Sequence, residues 1–211
     1  MTIYRDMSFR GITPTEMVEV YRHLLRTHGA ASPQALGWLN EDNHQAHHRI
    51  LTREIRPGSR VVDFGCGLGD LFGFFRKVRL PVQYEGFDQV PELLAAARQK
   101  YPGGHFEARS SMEGLRDNSR DFVVACGVFA YRLVGQIDFV KRSLAEFGRV
   151  SREGFSADFL AAEHLPELAE DYFAIDREHL EELLRGSNFQ IETSPRLKSH
   201  FVFVGLNGRV L

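Results

Sequence analysis

The stretch VVDFGCGLGDL, residues 61–71, decides the fold of this chain. An apolar segment typical of a strand, 60–64, leads into three glycines at alternate positions, and a helical pattern follows over 71–78. Glycines let the chain turn sharply and let a ligand approach bare backbone. The helix start offers unpaired N–H groups. The pattern therefore predicts a ligand-binding turn between the first strand and first helix of an α/β sheet.

The spacing of the glycines and of one acid narrows the class of ligand. A dinucleotide loop has the pattern G-x-G-x-x-G and holds a pyrophosphate at the helix start. Here the third glycine comes one residue early, and Asp63 lies two residues before the first glycine. An acid in this crevice suits a ligand with a cationic amine and no pyrophosphate. A nicotinamide-dependent oxidoreductase is disfavoured, also because no separate substrate domain remains.

Strand and helix patterns alternate along the rest of the chain. Repeated strand–helix units imply a parallel sheet with right-handed crossovers. The last two strands are joined too tightly for a crossover helix, so they should pair antiparallel. The predicted strands after the first are 83–87, 105–109, 121–129, 154–160, 189–193 and 200–206, and the predicted helices are 92–100, 134–147 and 176–185.

Residues 1–56 have a helical pattern and precede the predicted core, 57–211, across the turn Arg56-Pro57-Gly58-Ser59. These helices cannot bury much alone, so we expect them to pack on the core as a cover within one compact domain. Trp38, just before the second helix, either packs as core or closes over the site as a lid. Tyr4 and the first helix could complete that cover.

Composition limits the partners. Lys and Arg number 26 against 28 Asp and Glu, a net charge of −2, so no basic excess favours a nucleic acid partner. No apolar stretch reaches the ~20 residues of a membrane span, and the first residues lack a signal-peptide core. Two cysteines are too few for a disulfide framework. We expect a cytoplasmic protein with reduced thiols. A homodimer is one possible oligomeric state, and the sequence does not decide it.

Asp88 is the second candidate site residue, at the end of the predicted second strand. An acid at this position of a doubly wound sheet can accept hydrogen bonds from two ribose hydroxyls. The alternative is a cap for the helix that Pro91 opens. The glycine loop beside it favours the ribose role.

Together these residues resemble the class I S-adenosylmethionine-dependent methyltransferases. The resemblance covers roughly residues 50–206 and rests on VVDFGCGLGDL, YEGFDQVPELLAAAR, DFVVACGVF, GFSADFL and the final strand pair. It implies a Rossmann-like doubly wound α/β sheet of seven strands in the order 3-2-1-4-5-7-6, the last strand antiparallel. It also implies S-adenosylmethionine as cofactor and S-adenosylhomocysteine as product.

The resemblance assigns roles around the donor. The acid that often meets adenine after the third strand is replaced by Ser110, whose hydroxyl can accept the same hydrogen bond less strongly. Met112 would cover the adenine ring, and Arg49 either binds the methionine carboxylate or is a solvated helix charge. The two cysteines should lie near each other under the donor. The expected donor-binding residues are Asp63 (amine), Gly65, Cys66, Gly67, Gly69, Asp88 (ribose), Gln89, Ser110, Ser111, Met112, Cys126 and Arg49.

The acceptor side is less defined. Methyl transfer needs a general base only if the acceptor loses a proton, and no catalytic residue is evident. Tyr131 could orient or deprotonate an acceptor, or it could form a wall with Phe129, and Trp38 is the third candidate contact. His44 and His48 have a zinc-binding spacing, but no third ligand is evident, so no metal is predicted. We expect a small-molecule acceptor; a protein or RNA methyltransferase, or a binding protein without turnover, are the alternatives.

Overall fold

The computed structural model describes residues 11–164 and 171–206, so Tyr4 lies outside the described residues. No helix in these ranges combines the length and the apolar character that crossing a bilayer requires. The strands are β1 Arg60–Phe64, β2 Gln83–Asp88, β3 His105–Ala108, β4 Arg120–Ala125, β5 Ser151–Ala161, β6 Ala174–Ile175, β7 Asn188–Ser194 and β8 Ser199–Gly205. The helices are α1 Pro14–His28, α2 Glu41–Leu51, α3 Asp70–Lys77, α4 Pro91–Lys100, α5 Gln136–Val150 and α6 Arg177–Leu183, with 3-10 turns at Pro33–Leu36 and Ala162–His164.

One sheet runs in the order β3-β2-β1-β4-β5-β8-β7, and the short β6 pairs with β5. Strands β1 to β5 are mutually parallel, whereas β8 runs antiparallel to both β5 and β7. This confirms the predicted fold class and strand order, because the predicted sixth and seventh strands are β7 and β8. The two-residue β6 was not predicted, since so short a strand leaves no periodic pattern.

The core lies on both faces of the sheet. Successive residues of a strand point to opposite faces, so Val61 packs with α2, α3 and α4, and Val62 packs with α5 and α6. Both are fully buried. Strands covered on both faces read as nearly continuous apolar runs, which explains the pattern of β4.

The helices that precede β1 pack over the carboxyl ends of the parallel strands. A capping box between Thr13 and Glu16 starts α1, and the side chain of Asn40 accepts a hydrogen bond from the N–H of Asn43 to start α2. The hydroxyl of Ser156 in β5 donates to the carbonyl of Leu51 at 2.7 Å, which fixes the end of α2 to the sheet. We call residues 11–51 the cover.

Candidate functional site

A cavity of about 530 Å³ lies between the carboxyl ends of the parallel strands and the cover. This volume is within the usual range for a small-molecule site. The glycine loop and Asp88 form one end, which we call the donor end. Aromatic and histidine side chains of the cover form the other, the acceptor end. Of the predicted site residues, the cavity is lined by Trp38, Asp63, Gly65, Cys66, Gly67, Asp88, Gln89, Ser110, Cys126 and Tyr131.

The glycine loop is held against β2 by its own backbone. The N–H groups of Gly65 and Cys66 both donate to the carbonyl of Phe87, at 2.8 and 2.9 Å. Gly65 has a φ of +75°, and a Cβ there would lie 2.6 Å from Cγ2 of Val128. Any side chain at this position would meet both backbone strain and a clash. The loop therefore presents bare backbone to the cavity.

Asp88 holds the loop and also faces the cavity. One carboxylate oxygen accepts from the N–H of Gly67 and the other from the N–H of Val90, each at 2.8 Å. The ribose and cap roles are therefore not exclusive, because a carboxylate has about four acceptor positions and the backbone N–H groups of Gly67, Gln89 and Val90 do not use all of them. Burial raises the pKa of Asp88, against the lowering effect of these backbone N–H groups. The remaining acceptor capacity suits a ribose hydroxyl.

Asp63 is a buried acid that lines the same cavity, with 2 % of its surface exposed. It accepts a hydrogen bond from the hydroxyl of Tyr84 at 2.6 Å. Burial raises the pKa of Asp63 to about 7, and the charges of Asp88 and Asp70 add to this, while the Tyr84 bond opposes it. Among the described residues, no cationic side chain pairs with Asp63. A buried carboxylate without a counter-ion fits the cationic amine of S-adenosylmethionine.

The adenine side departs from expectation at three residues that do not line the cavity, Gly69, Ser111 and Met112. Met112 is 1 % exposed and packs in the apolar core with Phe87, so the expectation that it covers the adenine is wrong. Gly69 instead starts α3 beside the ring of Phe106. Ser111 accepts from the N–H of Glu113 at the surface. Sequence reasoning missed Val90, Leu93 and Arg109, which line this end.

Aromatic rings close the acceptor end. Trp38 stacks on His44 with ring centres 4.4 Å apart, and a Cβ on Gly127 would lie 3.0 Å from the indole. Tyr131 stacks on Tyr172 at 5.3 Å and meets Tyr21 of α1 edge-on at 5.9 Å. Rings from the cover and from the segments after β4 and before β6 therefore meet over the cavity.

Two expected site residues do not line the cavity, Phe129 on the acceptor side and Arg49 on the donor side. Phe129 is fully buried and stacks on Phe159 at 4.8 Å, so it belongs to the core and does not contact the cavity. Arg49 is exposed and does not line the cavity. The face of α2 toward the cavity carries three histidines instead, His44, His47 and His48, which are 3–4 % exposed.

The environment of these histidines is apolar. Burial lowers the pKa of His44 to about 3 and that of His48 well below its usual value. Both imidazoles are therefore neutral at neutral pH. Burial also raises the pKa of the two cavity cysteines, Cys66 and Cys126, well above the usual range, so both are protonated thiols.

Sequence reasoning missed Asp158, which lies inside the apolar strand β5. One of its oxygens pairs with Nδ1 of His47 at 2.6 Å, and the other accepts from the N–H of Gly127 at 2.7 Å. Asp158 is 4 % exposed and lines the cavity. An acid within a buried strand is the signal that could have identified it, because buried charges are usually paired.

The sheet order, the glycine loop and the two acids are those that the resemblance to class I S-adenosylmethionine-dependent methyltransferases implied. Residues 62–155, a little less than half of the chain, match the family model described as a methyltransferase domain, in agreement with the predicted class. Among curated proteins, the chain is similar to demethylmenaquinone methyltransferase of Chlorobaculum tepidum, with 30 % identity over 45 % of this chain and 37 % of that one. A Mycobacterium tuberculosis protein, provisionally named a methyltransferase, is 29 % identical over 48 % of this chain and 63 % of its own.

Solved structures share the fold. Magnesium protoporphyrin IX methyltransferase from Synechocystis with bound S-adenosylhomocysteine has a TM-score of 0.58 and 16 % identity, covering 78 % of this chain and 84 % of that one. The PH0226 protein from Pyrococcus horikoshii has a TM-score of 0.65 and 14 % identity, covering 89 % and 98 %. The chain spans less than two thirds of the length of both curated relatives that it matches.

Proposed function

We propose that the protein transfers a methyl group from S-adenosylmethionine to a small-molecule acceptor bound at the acceptor end of the cavity. One observation carries this proposal. A single cavity is lined by the glycine loop and Asp88 at one end and by Trp38 and Tyr131 at the other. Such a cavity suits a donor and a compact acceptor side by side.

At the donor end, Asp63 would hold the amine, Asp88 the ribose, and the Gly65–Gly67 backbone the chain between them. Ser110 and Gln89 would meet the adenine side, where Val90 and Leu93 supply apolar contact. S-adenosylmethionine supplies an activated methyl group on a sulfonium. The protein's own contribution is to align the acceptor with that methyl group and to exclude water.

At the acceptor end, the cover has the position that water exclusion requires. Trp38 lies over Gly127, directly after Cys126, and Tyr131 lies against Gly37 with its hydroxyl 3.3 Å from a Cβ built there. Both rings therefore bound the space beyond the donor loop. Tyr131 would either wall the acceptor or orient its nucleophilic atom.

Two further facts support a small acceptor in place of a macromolecule. The chain has a net charge of −2, which gives no electrostatic footprint for RNA. Two similar proteins carry names that specify small acceptors, demethylmenaquinone and magnesium protoporphyrin IX. We also propose a cytoplasmic location, on the grounds of cysteine content and apolar segments given in the sequence analysis.

Two measurements test the proposal. Calorimetry should show one S-adenosylhomocysteine per chain and no binding of NAD. Incubation with methyl-labelled S-adenosylmethionine and fractionated cell extract should then place label in the small-molecule fraction, and the Asp88→Ala variant should place far less. Label in the protein or RNA fraction would assign the acceptor to those classes and overturn the small-molecule proposal. Donor binding without label in any fraction would indicate a binding protein.

A further inference from the structure

Two buried histidines on α2 and one cysteine after β4 converge at the acceptor end. His44 and His48 are one helical turn apart, so both project from one face. One ligand atom from each of them and Sγ of Cys126 lie within 4.8 Å of one another. In a tetrahedral zinc site, bonds of 2.0–2.3 Å place ligand atoms roughly 3.5 Å apart. Small side-chain rotations would therefore bring these three atoms to coordination distance.

No hydrogen bond within the described residues involves a ring nitrogen of His44 or His48, and neither residue contributes to the fully buried polar atoms that lack a partner, so these nitrogens face the open space of the cavity. Both side chains are nearly fully buried, with 4 % and 3 % of their surface exposed, and both line the cavity. Their nitrogens are therefore accessible to a ligand in the cavity and are not used by the protein's own hydrogen bonds.

We propose that His44, His48 and Cys126 bind one divalent metal ion, with zinc the best match, at the acceptor end of the cavity. Imidazole and thiolate ligands suit zinc, whereas carboxylate and carbonyl oxygens suit magnesium or calcium. Coordination replaces the S–H proton of Cys126, which leaves to solvent, so the bound group is the thiolate. The spacing of the two histidines is that of helical zinc motifs.

The surrounding residues hold these ligands in place. Trp38 stacks on His44 at 4.4 Å with a 16° interplanar angle, and Phe74 lies 5.7 Å from His48 between ring centres. The carboxylate of Asp158 accepts from the N–H of Gly127, the residue directly after Cys126. Orientation of metal ligands by such neighbours is typical of metal sites.

A second group, His47, Cys126 and Asp158, also places one ligand atom from each residue within 4.8 Å of the others. It is the weaker candidate because both oxygens of Asp158 already have partners, Nδ1 of His47 and the N–H of Gly127. We therefore assign His47 and Asp158 a supporting role beside the three proposed metal ligands.

Three protein ligands leave a fourth position open, as in catalytic zinc sites. All three ligands line the cavity that contains the donor loop. If methyl transfer is the function, as proposed above, the open position would bind an acceptor through a thiol or hydroxyl and lower the pKa of that group. This last step rests on the proposed function, whereas the metal site does not.

The test measures metal directly. Protein stripped with a chelator should take up one Zn²⁺ per chain by calorimetry and elemental analysis. Co²⁺ in its place should give the absorption of a tetrahedral site with a sulfur-to-cobalt charge-transfer band. Cys126→Ser should abolish that band, and both Cys126→Ser and His44→Ala should weaken Zn²⁺ binding on the order of 100-fold. Cys66→Ser, at the other cavity cysteine, and His105→Ala, at an exposed histidine, should leave binding unchanged.

The proposal is overturned by wild-type protein that is folded by circular dichroism and takes up no stoichiometric Zn²⁺, or by Co²⁺ binding without the charge-transfer band. Equal Zn²⁺ affinity in Cys126→Ser and wild type would also overturn it. S-adenosylhomocysteine binding is measured on the same samples. Retained nucleoside binding with no metal removes only the metal site, and metal binding with no nucleoside removes only the methyltransferase proposal.

Discussion

The two ends of the cavity are built in different ways. At the donor end, backbone groups of one short loop bind Phe87 and Asp88, and these hydrogen bonds join the ends of two adjacent strands, β1 and β2. At the acceptor end, side chains from α1, α2 and the segments beside β4 and β6 meet as stacked rings. The donor end is thus fixed by main-chain hydrogen bonds and the acceptor end by side-chain packing. The first arrangement tolerates little change, and the second can vary with the acceptor.

The largest expected effect tests the donor end. Asp88→Ala should weaken S-adenosylhomocysteine binding on the order of 100-fold, about 3 kcal/mol, because it removes the ribose acceptors. It also leaves the N–H groups of Gly67 and Val90 without their partner. Calorimetry measures the affinity. The exposed Glu92 offers a matched control, and Glu92→Ala should change the affinity less than twofold. A similar affinity in Asp88→Ala would contradict the proposed donor site.

The next prediction compares the two ends of the cavity through glycine-to-alanine substitutions, each of which adds one methyl group. Gly69, Gly127 and Gly135 share a φ of +72° to +74°, but their surroundings differ. An added Cβ meets nothing at Gly135, the ring of Phe106 at 2.7 Å at Gly69, and the Trp38 indole at 3.0 Å at Gly127. Gly135, like Gly69, is a left-handed residue at the start of a helix, and Gly135→Ala should cost about 1–2 kcal/mol of unfolding free energy from backbone strain alone. Gly69→Ala should cost about 2–4 kcal/mol, since overpacking adds to the strain.

Gly127→Ala tests whether the acceptor end of the cavity is rigidly packed or can adjust to an added methyl group. Because Trp38 is only half-buried, its indole can move away, and the cost should stay within about 1 kcal/mol of Gly135→Ala. Urea unfolding of the three variants measures these differences. If Gly127→Ala destabilises as much as Gly69→Ala, the acceptor end is as rigid as the donor loop and the comparison fails.

A smaller effect depends on pH. The pKa of Asp63 in the folded protein, about 7, lies above its ordinary value of 3.8. The folded chain therefore keeps a proton that the unfolded chain loses, and this group's contribution to stability falls as pH rises from about 4 to 7. Donor binding shows the opposite trend, because the cationic amine needs the ionised carboxylate.

S-adenosylmethionine affinity should therefore increase roughly tenfold between pH 5.5 and 7, where an α-amino group stays mostly cationic. Asp63→Asn keeps an oxygen for the Tyr84 hydroxyl and should lose most of this dependence. Calorimetry across the range measures both proteins. The same slope in wild type and Asp63→Asn would show that another group binds the amine.

The resemblance implied the strand order, and the sequence predicted most of the residues that line the donor end of the cavity, for a physical reason. The residues that form it lie at the ends of β1 and β2, so an apolar run followed by glycine and an acid marks their positions. Met112 and Phe129 were wrong because position after a strand does not tell which way a side chain points. His44, Cys126 and Asp158 come together only when α2 packs across β4 and β5, and no local pattern reports that contact.

The smallest expected effect concerns Arg49, the one donor-binding candidate on the cover. Its side chain is exposed while the histidines of α2 face the cavity, so Arg49→Ala should change S-adenosylhomocysteine affinity less than twofold by calorimetry. An exposed charge beyond contact distance is screened by water and salt. Arg79 is also exposed, but Arg79→Ala is not a matched control because the φ of this residue is positive. The matched control is Glu41→Ala, at the exposed start of α2. A tenfold loss in Arg49→Ala alone would mean that α2 rotates when the donor binds. The acceptor end would then be assembled by the ligand, whereas the donor end is formed in advance.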